Sequence, residues 1–222
     1  MKHQKLSWLF AGTLPLFFII TSVNSGYCAD NKPETLSEKS CEEHLREAND
    51  RCDRGKCGDA IPFYDALLGK GSSCPEGLKG EALYGRGRAK EATQDFVGAV
   101  SDFNTVFQMY PDVPKFKDAL GKGYYHLANQ KERFGDYKGA MVNYFKVLQL
   151  IPDFREASEG IAGLHYESGL GKQKRGELTE AREEFEKALR YRPNYPEARK
   201  AKKALEEKLR NKSAEREGMF GF

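Results

Sequence analysis

The chain of 222 residues has almost no excess of charge: 36 Lys and Arg stand against 33 Asp and Glu, a formal net charge of +3. Two of the positive charges, Lys2 and Lys5, lie in an N-terminal segment expected to be removed, which brings the remainder closer to neutrality. That balance excludes a general nucleic-acid binder, because such binding draws on a basic surface that displaces counterions from phosphates. There is no second apolar run of membrane-spanning length beyond the N-terminus, so no stable span is expected in the mature chain. A Cys-x-x-Cys pair is missing, which excludes thioredoxin-like redox chemistry. Catalytic constellations are missing too. His44, His126 and His165 are far apart, and none accompanies a serine or cysteine in a triad-like arrangement. Gly69-Lys70-Gly71-Ser72 and Gly169-Leu170-Gly171-Lys172 lack both the first glycine of a phosphate loop and a preceding strand. Cys41, His44, Cys52 and Cys57 supply zinc-type ligands, but their spacing fits no common zinc pattern. No enzyme, no cofactor and no metal site is expected from these residues.

What the chain does have begins with Met1-Lys2-His3-Gln4-Lys5, followed by an apolar stretch from Leu6 to Ile20 interrupted by Ser7, Gly12, Thr13 and Pro15, then small polar residues. This is the layout of a secretory signal peptide, residues 1–29, with cleavage expected after Ser25 or Ala29. The stretch is shorter than the roughly 20 residues a spanning helix needs. A lipoprotein site at Cys28 fits poorly because bulky Tyr27 precedes it. The expected location is periplasmic or secreted, or the lumen of the endoplasmic reticulum in a eukaryote. Export to an oxidising compartment would let the remaining Cys41, Cys52, Cys57 and Cys74 pair.

The chain also repeats itself. Phe96-Val97-Gly98-Ala99-Val100 with Phe103, Val106 and Pro111 superposes without gaps on Tyr137-Lys138-Gly139-Ala140-Met141 with Tyr144, Val147 and Pro152. Leu178-Thr179-Glu180-Ala181 with Phe185, Ala188 and Pro193 is a third copy, each copy 41 residues after the last. Alanine, an aromatic four residues on and a small apolar residue three later share one helix face, and the proline ends that helix. Upstream, Gly87, Ala128 and Gly169 mark a partner helix whose small residues permit close backbone approach, and Gly135-Asp136 and Gly176-Glu177 mark the turns between the two helices.

This pattern of small residue, Gly-Asp, Ala, aromatic, Ala and closing Pro resembles the tetratricopeptide repeat over about two thirds of the chain. A weaker first copy has Ala48, Gly55, Ala60, Tyr64 and Leu67 in corresponding places, with Pro75 slightly late. The resemblance implies an all-α solenoid of antiparallel helical hairpins: 40–75, 76–113, 114–154 and 155–195. Residues 196–212 read as an amphipathic capping helix, with Ala198, Ala201, Ala204, Leu205 and Leu209 on one side, that covers the last apolar face. A linker at 30–39 and a tail at 213–222 are expected to be flexible, with apolar Gly218-Met219-Phe220-Gly221-Phe222 a candidate docking tag. The period exceeds the family's usual 34 residues by seven, which is two helical turns, so long first helices rather than long loops are expected. Ser40 with Glu43, Asp153 with Glu156, and Asn194 with Glu197 fit N-caps. Arg199, Lys200, Lys202 and Lys203 read as the wet face of the capping helix.

If the first copy is an antiparallel hairpin, the end of its first helix meets the start of its second. Cys52 then bonds Cys57, and Cys41 bonds Cys74 across the open end; the other pairings would bridge most of a helix length, beyond the roughly 7 Å limit on Cα separation. In stacked hairpins the first helices line a concave surface, which makes Tyr84, Tyr125 and Tyr166, each 41 residues apart, a ladder along a groove or, alternatively, packing residues between first helices. Arg88, Lys122, Asn129 and Arg133 are expected beside them, with Glu81 and Glu132, as a protein- or peptide-binding set. Leu45 and Gly85 occupy places where carboxylate-gripping relatives need lysine and asparagine, so chaperone-tail recognition is not implied. The alternative to partner binding is a structural protein that self-associates through its terminal repeats.

Overall fold

The computed structural model describes residues 38–69 and 73–220, with side chains from 40–69 and 73–215. The expected signal segment and linker residues 30–37 lie outside the described residues, as do 70–72 and 221–222. Regular structure among the described residues is entirely helical: α1 (Glu38–Asp53), α2 (Cys57–Leu68), α3 (Glu76–Ala92), α4 (Phe96–Met109), α5 (Pro114–Arg133), α6 (Tyr137–Leu150), α7 (Arg155–Lys174), α8 (Leu178–Tyr191) and α9 (Pro196–Phe220). They pack as four hairpins, α1 with α2 through α7 with α8, each laid against the next, and α9 closes the row. The fold is an α-solenoid. The first helices of the third and fourth hairpins are long, as the extended period implies: α5 and α7 are each 20 residues.

Each hairpin turns through the same bond pattern, in which the amide of Lys56, Asp95, Asp136 or Glu177 donates to the carbonyl of Arg51, Lys90, Lys131 or Lys172 at 2.8–3.0 Å. The residue before that amide takes a left-handed backbone: Gly55, Gly135 and Gly176, with φ of 78°, 79° and 83°. Gln94 occupies the fourth such place at φ 65° without glycine's freedom. Asp95 and Asp136 then cap the second helices by accepting from the amides of Gly98 and Gly139, both at 2.9 Å. A Cβ on Gly98 or Gly139 would strike that carboxylate, and where Glu177 replaces the aspartate, with no side-chain cap, the glycine is replaced by Glu180.

The core follows the repeat. Phe103, Tyr144 and Phe185 are all but sealed from solvent, with Ala99, Ala140 and Ala181 beneath them. Small first-helix residues make room: a Cβ on Gly87 or Gly169 would come within 2.5 or 2.6 Å of the Phe103 or Phe185 ring. In each of the last three hairpins one polar residue is buried at a common position, Asp102, Asn143 and Glu184. Asp102 accepts from both arms of Arg86, at 2.9 and 2.7 Å, and from Lys90. Glu184 accepts from Lys172, Lys187 and His165. Neutral Asn143 instead donates to the Gly139 carbonyl, and Lys131, the counterpart of Lys90 and Lys172, turns outward to Asp136. A buried charge thus occurs only where cations converge on it.

Cys41 is bonded to Cys74 and Cys52 to Cys57, with Cα separations of 5.8 and 4.0 Å, the pairs that an antiparallel first hairpin calls for. Three capping expectations differ from the structure. Ser40 lies inside α1, which begins at Glu38. Phe154 and Tyr195, not Asp153 and Asn194, stand immediately before α7 and α9, because burying those rings against Tyr125 and Tyr166, with centroids 5.2 and 5.1 Å apart, outweighs a polar cap. In α9, Ala198 and Leu205 are buried and Ala201 and Leu209 half-buried, but Ala204 is exposed, one residue off the packed stripe. The helix also runs through 213–220, which were expected to be flexible, since no helix breaker occurs before Gly218. Among the described residues no helix is long and apolar enough to cross a membrane.

Candidate functional site

The three tyrosines of the first helices are neither free platforms nor core. Each is half-buried, wedged between the second-helix aromatic of its own hairpin and an aromatic that leads into the next. Tyr84 meets Phe103 at 6.1 Å and Phe116 at 5.5 Å; Tyr125 meets Tyr144 at 6.2 Å and Phe154 at 5.2 Å; Tyr166 meets Phe185 at 5.6 Å and Tyr195 at 5.1 Å. The three rings therefore lock hairpin to hairpin, and each remains partly exposed. Arg88, Lys122 and Arg133 are exposed along the same helices.

Asn129 is a different kind of residue from the one expected. Its Oδ1 lies 2.5 Å from the Tyr144 hydroxyl and Glu132 Oε2 lies 2.7 Å from it, so the two share its one proton and both are committed to that hydroxyl. Burial, with Glu132 beside it, pushes the Tyr144 hydroxyl well above the ordinary tyrosine pKa. Asn49 repeats the arrangement with Tyr64 at 2.8 Å. Both pairs have a spacing of 15 residues, and applying that spacing to Phe103 gives Arg88. Phenylalanine has no hydroxyl to satisfy, and Arg88 makes no hydrogen bond or ion pair among the described residues; its guanidinium sits 5.9 Å from the Tyr84 ring centroid.

Arg88 and Tyr84 line a cavity of about 240 Å³ with Asn49, Asp53 and Tyr64, where α1, α2 and α3 meet beside the Cys52–Cys57 bond. Gly85 shapes its wall, since a Cβ there would come within 2.5 Å of the Tyr64 ring. Of the expected set, the cavity gathers Tyr84 and Arg88; Lys122, Tyr125, Asn129, Arg133 and Tyr166 lie on α5 and α7, farther along the row. Asp53 and Tyr64 were not singled out as site residues, although the shared Asn–Tyr spacing of 15 was legible. Between the cavity and α5, burial raises the Glu91 carboxyl above its ordinary pKa, opposed by His126, Lys122 and Arg88; His126 Nε2 approaches to 3.6 Å. The histidines do not converge: His44 bonds the Ser40 carbonyl, His126 stacks on Phe96 and His165 faces Glu184. No metal-ligating cluster occurs among the described residues.

Residues 45–114, from α1 to the start of α5, match the tetratricopeptide repeat family model. The match spans α1 to α4, and α5 to α8 form two further hairpins of the same design. No curated protein matches it. Among solved structures it is similar to MamA of AMB-1, at 16% identity over 78% of this chain and 84% of that one, TM-score 0.40. A thermophilic TPR protein of Thermus thermophilus shares 22% identity over 76% and 82% of the two chains, TM-score 0.35. A TPR repeats protein of Bacteroides fragilis shares 12% identity over 76% and 88%, TM-score 0.44. With TM-scores this low, the three likenesses carry no functional argument.

Proposed function

We propose that the chain is an exported, non-catalytic scaffold that binds a protein or peptide segment along the concave face of its first helices. The observation that carries this reading is the uncommitted Arg88 at the mouth of a polar cavity, continued along α5 and α7 by the solvent edges of Tyr125 and Tyr166. Half-buried tyrosines are held rigidly by their inner rings, so a partner stacking on their outer edges loses little of their freedom. Arg88, Lys122 and Arg133 add exposed cations, against Asp53 and Glu81 at the cavity. The two disulfides are consistent with export. Stacking through the C-terminal repeat is disfavoured because α9 already covers Leu178 and Phe185 with Leu205.

The test is capture of partners from the native compartment by the intact protein and by Arg88→Ala and Tyr125→Ala. Loss of one defined partner by more than about tenfold in both variants, with melting of Arg88→Ala unchanged, supports the groove. Unchanged capture in both variants rejects it, and a sedimentation shift on removing α9 without any partner would favour self-association.

A further inference from the structure

The junction of the second hairpin with the third and that of the third with the fourth differ at equivalent positions. In the first, Tyr124 and Leu127 of α5 pack against Val100 and Phe103, and Phe96 stacks on His126 with centroids 5.7 Å apart. Forty-one residues on, Tyr124 becomes His165, Leu127 becomes Ser168 and His126 becomes Glu167. His165 is turned to Glu184 at 2.8 Å, and Ser168 is too short to fill the space. What remains is a slot of about 310 Å³ between α6, α7 and α8, lined chiefly by Tyr137, Met141, Leu164 and Ser168, with Lys138 at its edge. Tyr137, the counterpart of half-buried Phe96 and buried Leu178, is left 58% exposed.

The surface beside the slot is apolar where the other hairpins are polar. Phe134, Val142 and Phe145 are 82%, 55% and 38% exposed. Their counterparts are Thr93 and Arg175, Ser101 and Glu183, and Asn104 and Glu186. The repeat does not require these apolar residues, and exposed apolar clusters of this kind mark contact surfaces. Lys138, Val142, Phe145 and Gln149 follow at helical spacing along one ridge. The charge is one-sided as well: α6 contains Lys138 and Lys146 and no acidic residue, whereas α8 contains Glu180, Glu183, Glu184 and Glu186. Lys138 has no ion-pair partner among the described residues, and the one acid at the slot, Glu184, is already held by Lys172, Lys187 and His165.

We propose that this slot and the outer face of α6 form a second docking surface, separate from the groove, for an amphipathic helical segment of a partner that carries acidic residues beside its apolar anchors. One large apolar side chain enters the slot over Met141 and Leu164, its neighbours cover Val142 and Phe145, and the acids meet Lys138 and Lys146. A second copy offering α9 is a poor occupant, because the apolar stripe of that helix is already packed against α8 through Ala201, Leu205 and Leu209, and its exposed side mixes Arg199, Lys200 and Lys203 with Glu206 and Glu207.

Fluorescence anisotropy with the full chain, disulfides intact, tests this with a labelled synthetic amphipathic peptide of leucines flanked by glutamates, the same peptide with lysines in their place, and a scrambled acidic peptide. The expected result is saturable binding of the acidic amphipathic peptide alone. Ser168→Leu, which restores the filling that Leu127 gives the preceding junction, and Lys138→Glu should each weaken it by about tenfold or more, while Tyr125→Ala leaves it unchanged. Lys138→Glu alters only the surface, so its effect cannot come from misfolding. No binding, equal binding of the acidic and basic peptides, or loss in Tyr125→Ala but not in Ser168→Leu would overturn the proposal. So would a concentration-dependent dimer that Ser168→Leu abolishes, which would show a second copy to be the occupant.

Discussion

Replacing Glu184 by glutamine probes the most heavily charged point of the buried framework. The side chain is 9% exposed and accepts from His165 at 2.8 Å, Lys187 at 2.9 Å and Lys172 at 3.1 Å. Burial alone would raise its pKa, but the hydrogen bonds from His165, Lys187 and Lys172 outweigh it and hold the carboxyl at about 2. A group that ionises near 2 in the folded chain and near its ordinary 4.5 in the unfolded chain stabilises the fold when ionised. The sign follows from the depressed folded value: the contribution is fully present above about pH 5 and is lost as the pH falls through 2. Its size at pH 7 is on the order of 3 kcal/mol, falling to about half at pH 3. Glu184→Gln keeps the shape, removes the charge and leaves two lysines converging on an amide. Urea denaturation followed by circular dichroism should show the variant less stable by on the order of 3 kcal/mol at pH 7, with the gap narrowing steadily toward pH 2. A gap of equal size at pH 7 and pH 3 would refute the electrostatic reasoning and leave only a packing effect. Asn143 already shows that an amide is tolerated at this position when its lysine has another partner.

Two substitutions in α7 should have opposite signs for the same chemical change. Gly163→Ala adds a Cβ with nothing within 4 Å and should stabilise by about 0.5–1 kcal/mol through helix propensity, whereas Gly169→Ala drives a Cβ to 2.6 Å from the Phe185 ring and should cost about 1–3 kcal/mol. Thermal melting of both variants decides this, and shifts of the same sign would contradict the packing described. The disulfides should rank by the chain they close: replacing Cys41 and Cys74 by alanine, across 33 residues, should cost about 4 kcal/mol, and replacing Cys52 and Cys57, across 5, about 2 kcal/mol. Equal losses in urea midpoint would argue against an unfolded-state origin.

The architecture was legible because an apolar face that repeats at a constant interval has few ways to be buried. Ala99, Ala140 and Ala181 with Phe103, Tyr144 and Phe185 defined the second helices, and Gly87, Ala128 and Gly169 defined what they pack on. The seven-residue insertion could be assigned to helix because two turns leave that face unrotated. The cysteine pairs followed from hairpin geometry, a local constraint. Caps were less legible: Phe154 and Tyr195 took places given to Asp153 and Asn194, because the gain came from rings on a neighbouring hairpin. The tertiary structure alone decided what each tyrosine edge and each exposed cation could reach. It committed Asn129 to the Tyr144 hydroxyl, left Arg88 over the Tyr84 ring without a hydrogen bond or ion pair, and opened a slot where Leu127 has Ser168 as its counterpart. A repeating sequence determines which faces must be hidden, since that depends on periodicity along one chain. Which side chains remain unsatisfied or exposed at a junction depends on pairs of residues from different repeats, and their distances exist only once the hairpins are stacked.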